Sequence, residues 1–292
     1  MPHTYTNVDL HCHSTYSDGT LAPDALAQLA RQGGVDLWAL TDHDEIAGQS
    51  EACKAAHAQG IDYLTGVEIS ASFAGHTIHV VGLGFDTRNT TLRDGLHSLR
   101  HSRGPRAEEM GKALERAGIP GAYEGALQYA GNPDLVSRTH FARFLMEQGI
   151  CQSMHEVFSR FLVEGKPGFV PQKWASVQEA VTWVVQAGGV AVIAHPAAYA
   201  LDHMLEDALL QTFKDSGGVG IEVVCGGHNA AETARYAEVA AHYGLLASRG
   251  SDFHSPQESR WSLGSMGPLP HRLHGVWEHL QDRILRAPAI SA

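Results

Sequence analysis

Short apolar runs alternate with segments of helical spacing along most of this chain, and one long stretch without strands interrupts them. Residues 7–10, 35–40, 61–69 and 77–85 read as strands, and 22–32 and 45–59 as helices closed by glycine. After the interruption, 190–194, 219–224 and 245–248 read as strands. Residues 177–186, 204–214, 230–242 and 271–285 read as helices. Such alternation predicts an α/β fold around a parallel sheet, and a barrel of this kind fits the length of 292 residues. The interruption spans 89–162. It holds one long polar helical pattern at 90–117, with Gly104-Pro105 as a candidate break, then shorter helices at 135–148 and 154–161. The expected domains are thus a barrel of 1–88 with 163–292, and a helical insertion of 89–162. The last residues, 286–292, are expected to fray.

In a barrel, ligand-bearing residues belong at one end of the strands. The predicted strands carry them. His11 and His13 stand two apart in DLHCHS, so in extended chain both rings face one way. Asp18 follows in SDG. His43 lies in LTDHD, Glu68 in GVEIS, His79 in HTIHVVGLG and His195 in VIAHP. Glu222 lies in GIEVV, and Asp252 and His254 in SDFH. Alone, each motif is weak, but six strands bearing metal-type residues at one end form a joint pattern. Imidazole with carboxylate and no thiolate suits manganese, iron or zinc. About nine candidate ligands exceed what one ion of four to six ligands can use, so two or three ions are expected.

The composition narrows the classes further. Arg and Lys number 21 against 32 Asp and Glu, a net charge of −11, so duplex DNA is an unfavourable partner. The four cysteines are scattered and form no CxxC pair, which argues against a disulfide framework or a cysteine-bound zinc. No apolar run approaches a membrane span and no leader peptide is evident, so the expectation is a cytoplasmic protein with no membrane partner. No dinucleotide fingerprint or phosphate-binding loop is present.

Together, HxH, the SDG aspartate, TDH, GVE, the strand histidine, AHP and the closing SDxH resemble the polymerase and histidinol phosphatase (PHP) family. The resemblance covers 7–88 and 168–256. It implies a distorted (β/α)7 TIM-like barrel with three divalent ions, manganese first, iron or zinc as alternatives. It also implies the ligand sets. His11, His13, Glu68 and Asp252 would hold one ion. Glu68, with His79 and His195, would hold a second. Asp18, His43 and His254 would hold the third. Where this chain has Asp18, some members have histidine, which keeps a ligand and alters metal preference. A metal-bound hydroxide held by Glu68 and Asp252 would attack phosphorus, with the third ion, at His43 and His254, on the leaving oxygen.

The insertion, with SRTHFARFL at 137–145, resembles the bacterial 3′,5′-nucleoside bisphosphate phosphatase branch. That implies removal of a 3′-phosphate to leave a nucleoside 5′-monophosphate, with trimming of short 5′-phosphorylated single-stranded RNA as a second activity. Phosphatase action on a small metabolite such as histidinol phosphate, and a non-catalytic metal-binding module, are the alternatives. Arg138 and His140 are candidates for a second phosphate, as are Arg103 and Arg106. Salt bridges of the two latter to Glu108 or Glu109 are the competing reading. His228 is a candidate for the nucleoside pocket. Glu222 is read as orienting a ligand, Cys12 as core, Trp174 as packing, and the helix histidines as surface.

Overall fold

The computed structural model describes residues 4–288. Its sheet runs in the order β1 (Val8–Asp9), β2 (Leu37–Leu40), β3 (Asp62–Phe73), β4 (His76–Leu83), β6 (Val190–Ile193), β7 (Gly220–Cys225) and β8 (Leu246–Gly250). The short β5 (Ala175–Ser176) adds to β3 outside this path. The two ends meet at the end of β8 and just past it: Leu10 N–H donates to Arg249 O, and Asp252 N–H to His11 O. The result is a nearly closed barrel of seven strands, as the PHP resemblance implied.

Period-two alternation sorts the strand residues. In β2, Leu37 and Ala39 join Leu10, Leu64, Val81 and Val192 in one core, and Trp38 and Leu40 join a second core under α1 (Pro23–Gln32) and α2 (Gln49–Ala58). A third core lies beneath α7 (Val177–Gln186), α8 (His203–Asp215) and α9 (Ala230–Tyr243).

One strand departs from the parallel expectation. β4 is antiparallel to both neighbours. Ala74 and Gly75 alone separate β3 from β4, both at positive φ (47° and 85°), the backbone of a tight two-residue hairpin. Reading 61–69 and 77–85 as two strands of a parallel series overlooked this turn.

The reversal sends the chain to the floor of the barrel, and a single helix brings it back. α3 (Thr90–Arg116) has 27 residues, about 40 Å at 1.5 Å per residue. Asn89 caps it by accepting from Leu92 N–H. Its lower half buries Leu92, Leu96 and Leu99 against the barrel. Gly95 lies under Trp183, whose ring atoms are 2.6 Å from where a Cβ would stand. Its upper half supplies Ala107, Met110 and Leu114 to a separate core with Phe141, Leu145, Val157 and Leu162. The other pieces of that core come from α4 (Ala122–Leu127), α5 (Arg138–Glu147) and α6 (Met154–Val157), which runs on into a π-helical turn at Phe158–Leu162. Pro105 does not break α3: it sits on the exposed side, where water can take the carbonyl left unpaired.

The final helix expected at 271–285 is absent. Val276–Leu280 forms one 3-10 segment whose Val276 and Leu280, with Ile284, close the barrel floor. Backbone groups that a helix would use go to strands instead, Ala247 N–H to His274 O and Leu285 N–H to Tyr63 O. Nor is the start of the tail frayed: Arg286 pairs with Asp62 at 3.0 Å and Ala287 N–H donates to Asp62 at 2.7 Å. The remainder, 289–292, lies outside the described residues.

Candidate metal centre

The nine predicted ligands converge at one end of the barrel. His11 and His13 follow β1, His43 follows β2, His195 follows β6, and Asp252 and His254 follow β8. Glu68 is inside β3. His79 is not at a strand end. Because β4 runs backwards, its first half reaches this end, and His79 pairs across to Ser70. Asp252 and His195 hold positive φ (52° and 25°), conformations that non-glycine residues adopt at a cost and that concentrate at functional sites.

Glu68 is the hub. Its Oε1 lies 2.8 Å from His79 Nδ1 and 2.8 Å from His195 Nε2. Its Oε2 lies 2.9 Å from His43 Nδ1, 3.2 Å from His13 Nε2 and 3.3 Å from His11 Nε2. Asp252 Oδ1 stands 3.3 Å from His13 Nε2 and 3.5 Å from His11 Nε2. Asp18 Oδ1 stands 3.4 Å from His254 Nε2 and 3.8 Å from His43 Nε2. Most of these spacings are those of ligands about 2.1 Å from a shared ion. His11, His13 and Asp252 form one such group; His11, Glu68 and His195 another; His43, Glu68 and His79 a third; His13, Asp18, His43 and His254 a fourth. His13 thus belongs to two groups.

The hydrogen-bond pattern says the same. His13 Nδ1, Asp18 Oδ1, His43 Nδ1, Glu68 Oε2 and His195 Nδ1 are buried polar atoms without a hydrogen-bond partner among the described residues. Each such atom costs roughly 1–3 kcal/mol unless something satisfies it. Crowded carboxylate oxygens and imidazole nitrogens, several of them without a hydrogen-bond partner among the described residues, fit divalent cations. Burial alone would raise the Asp18 and Glu68 carboxyls, but the imidazoles around them hold both well below the usual range. Burial takes His79 down to about 4, against the pull of Glu68, so its ring is neutral and its lone pair available.

Outside this cluster stands Glu222. It accepts at 2.6 Å from the His195 backbone N–H and lies 2.8 Å from His11 Nδ1. It therefore orients His11 and is in none of the four groups. Cys12 points to the other face, as expected, with Trp38 Nε1–H donating to its sulfur.

A cavity of about 210 Å³ opens from the cluster. Beyond Asp18, His43, Glu68, His79, His195, Asp252 and His254 its wall includes Arg103, Arg106, Arg138, Thr139, Phe158 and Trp174. The candidate second-phosphate residues divide here. Arg103 is already paired, with Asp44 Oδ2 (3.1 and 2.5 Å) and Ser70 Oγ (2.9 Å). Arg106 donates from Nε to Val170 O at 3.0 Å, and its remaining nitrogens lack partners among the described residues. Neither reaches Glu108 or Glu109, because both arginines point inward over the Trp174 ring, 4.7 and 5.6 Å from its centroid. Arg138 has no hydrogen-bond or carboxylate partner among the described residues and lies 5.7 Å from the Phe158 ring. Burial, then Arg138 and Arg103, bring Arg106 down to about 9.

His140 and His228 are not in the cavity wall. His140 caps its own helix, Nδ1 accepting from Ser137 N–H at 3.0 Å. His228 turns Nδ1 to Val223 O and stacks on Tyr236. Local chemistry claims both: one stands at the third position of a helix, the other follows a Gly-Gly turn. Trp174 packs in the core as expected and also forms cavity wall, and sequence reasoning overlooked Asp44. Asp44 in LTDHD was visible only as a flank of His43, yet its buried carboxylate ties α3 to the barrel.

Comparison with known proteins accords with this geometry. Residues 9–132 match the PHP domain model. A Chromobacterium violaceum protein named 3′,5′-nucleoside bisphosphate phosphatase is 46% identical over 96% of this chain and 98% of its own. The chain belongs to the PHP family. An Escherichia coli member named a 5′-3′ exoribonuclease is 38% identical over 92% of each chain. Among solved structures, an amidohydrolase from C. violaceum with bound sulfate and no metal superposes with a TM-score of 0.94, at 45% identity over 97% of this chain and 99% of that one. A B. adolescentis chain assigned as a metal-dependent phosphoesterase gives 0.79 at 27% identity, covering 94% and 96%. Among the described residues no helix of this PHP protein is long and apolar enough to cross a membrane.

Proposed function

We propose that this metal-dependent phosphoesterase removes the 3′-phosphate of nucleoside 3′,5′-bisphosphates, giving the 5′-monophosphate and phosphate, and shortens 5′-phosphorylated RNA. One observation carries the reading. A single cavity joins the cluster of ligand-type side chains to three guanidiniums, of which only Arg103 is neutralised, by the buried carboxylate of Asp44. The surplus positive charge calls for a second anion at a distance from the first. The names of the relatives from C. violaceum and E. coli agree with that.

Three ions, manganese first, would be held by His11, His13, Glu68 and Asp252; by Glu68, His79 and His195; and by Asp18, His43 and His254. Divalent ions there would offset the charge of the phosphoryl oxygens and make a water acidic enough to attack near neutral pH. The chain's own residues do the rest. Glu222 fixes the ring of His11. Arg138 and Arg106 take the 5′-phosphate, with guanidiniums resting over Phe158 and Trp174. That contact puts the ribose between the two ends, with its 3′ oxygen toward the cluster. The buried walls exclude bulk water and strengthen each charge contact.

The test is phosphate release from adenosine 3′,5′-bisphosphate by manganese-loaded protein, with histidinol phosphate run beside it. Formation of 5′-AMP is the expected outcome. Formation of 3′-AMP, or brisk turnover of histidinol phosphate alone, overturns the reading.

A further inference from the structure

A second cavity, of about 330 Å³, opens on the other side of the same centre. It shares Asp252, His254 and Thr139 with the first. Its remaining wall includes Met154, Gly226, Gly227, Ser251 and Arg260. Gly226 is packed on the chain after β8: a Cβ there would stand 1.8 Å from Ser251 O. At Gly227 a Cβ would meet no atom within 4 Å. The wall is therefore flat at this point and open above it. Glu258 also lines the groove, but its carboxylate is taken by Arg143 in a two-pronged pair at 2.8 and 2.7 Å. Arg260 is exposed and has no carboxylate partner among the described residues; its guanidinium rests 5.4 Å from the Trp261 ring. Asp252 turns its carboxylate to His11 and His13 of the cluster, which leaves Arg260 as the one unpaired charge among the groove's other described lining residues.

Resting on the reading above, we propose that this groove takes the nucleotides beyond the scissile phosphate of a single-stranded RNA, with Arg260 on the next phosphodiester. The stereochemistry of the ester leads there. In both substrates water adds to phosphorus, the P–O3′ bond breaks, and the departing 3′ oxygen leaves as a hydroxyl once it gains a proton. The nucleoside that departs occupies the first cavity in either case. A monoester carries only oxygen on the far side of phosphorus and leaves the groove empty. A diester carries the 5′ oxygen of the next nucleoside there and needs room for it. The shortened strand keeps the phosphoryl group on that 5′ oxygen. It is a new 5′-phosphorylated end, the feature that Arg138 and Arg106 would read, so cleavage can repeat from 5′ to 3′. One centre with a groove on each side thus accepts a mononucleotide and a strand by the same chemistry.

The test compares Gly227→Leu and Arg260→Glu with wild type on adenosine 3′,5′-bisphosphate and on a 5′-phosphorylated ribotrinucleotide. Gly227→Leu fills the groove without meeting packed atoms, and Arg260→Glu reverses its charge. Each variant is expected to leave kcat/KM for the bisphosphate unchanged, and so to show an intact centre. Each should lower kcat/KM for the trinucleotide about tenfold or more, the scale of one charge-assisted hydrogen bond. Equal losses on both substrates, no loss on either, or a wild type inert toward the trinucleotide overturns the proposal. A wild type active on the trinucleotide but inert toward the bisphosphate fails the earlier reading alone; p-nitrophenyl phosphate then serves as the monoester reference.

Discussion

Glu222 grips His11 from behind, its Oε1 2.8 Å from Nδ1, while its Oε2 takes the backbone N–H of His195 at 2.6 Å. One carboxylate thus sets a ring and a neighbouring turn together. With Nδ1 donating to Glu222, the lone pair of His11 Nε2 faces Glu68 and Asp252.

Glu222→Gln cannot serve both partners, since an amide offers one acceptor and one donor. Metal affinity should fall by about 10–100-fold, the usual cost of losing such support. Calorimetric titration of the metal-free variant with manganese measures this. Affinity equal to wild type would show that His11 needs no such support.

Arg138→Ala should lower kcat/KM for the bisphosphate by roughly 10–100-fold, as expected for loss of a charge-assisted contact of about 1.5–3 kcal/mol. It should leave 3′-AMP, which lacks the second phosphate, nearly unaffected. Parallel losses on both substrates would remove Arg138 from the 5′-phosphate.

Arg103 and Asp44 form a buried ion pair, so breaking it acts on stability. Asp44→Ala strands a buried guanidinium and should cost about 3–5 kcal/mol, visible in denaturant unfolding. A stable Asp44→Ala protein would mean that Arg103 turns outward freely and belongs with the phosphate ligands after all.

His140 provides a pH dependence whose sign is fixed. Burial, reinforced by Arg143 and Arg103 and opposed by Asp18, takes its ring down to about 4. Below about pH 6.5 the unfolded chain binds a proton that the folded chain refuses. Stability therefore falls as pH drops from about 6.5 to 4, by at most about 3 kcal/mol, and is indifferent to this group above that window. His140→Gln keeps an acceptor for Ser137 N–H and removes the titration. Its stability should fall less steeply than wild type between pH 6.5 and 4, and identical slopes would dismiss His140 as the source.

The ligand cluster was legible because its signal is local: apart from Asp18, which stands in a loop after β1, each ligand-type residue lies in or just after a short apolar run, and strands of a barrel deliver such residues to one place. His79 was legible as a candidate for a reason that was partly wrong. It reaches the cluster only because β4 reverses at Ala74-Gly75, a turn whose first residue, an alanine at positive φ, is not the Asn, Asp or Gly that usually signals such a hairpin. The arginines were legible as a group and not one by one, because which of them is paired depends on Asp44, brought near by the fold and distant in sequence. His140 and His228 show the converse: a nearby backbone group holds Nδ1 of each ring and turns it out of the cavity wall, leaving Nε2 without a hydrogen-bond partner among the described residues. The helix expected at 271–285 failed for a related reason. Its spacing of apolar residues, Val276, Leu280 and Ile284, serves equally well as a plug beneath a barrel.

The long α3 has a further consequence. Its lower turns are anchored at the barrel floor through Leu92, Leu96 and Leu99, while Arg103 and Arg106 reach the mouth above. Helical phase is set at the anchor, and each residue adds about 100° of rotation. One residue added or deleted between Leu99 and Arg103 would swing both guanidiniums roughly a quarter-turn or more away from Trp174, with every side chain of the barrel untouched. The spacing of those few residues therefore matters to the cavity as much as the identity of its wall. A residue added in the loops beyond Arg116 leaves the phase of α3 unchanged and both guanidiniums over Trp174.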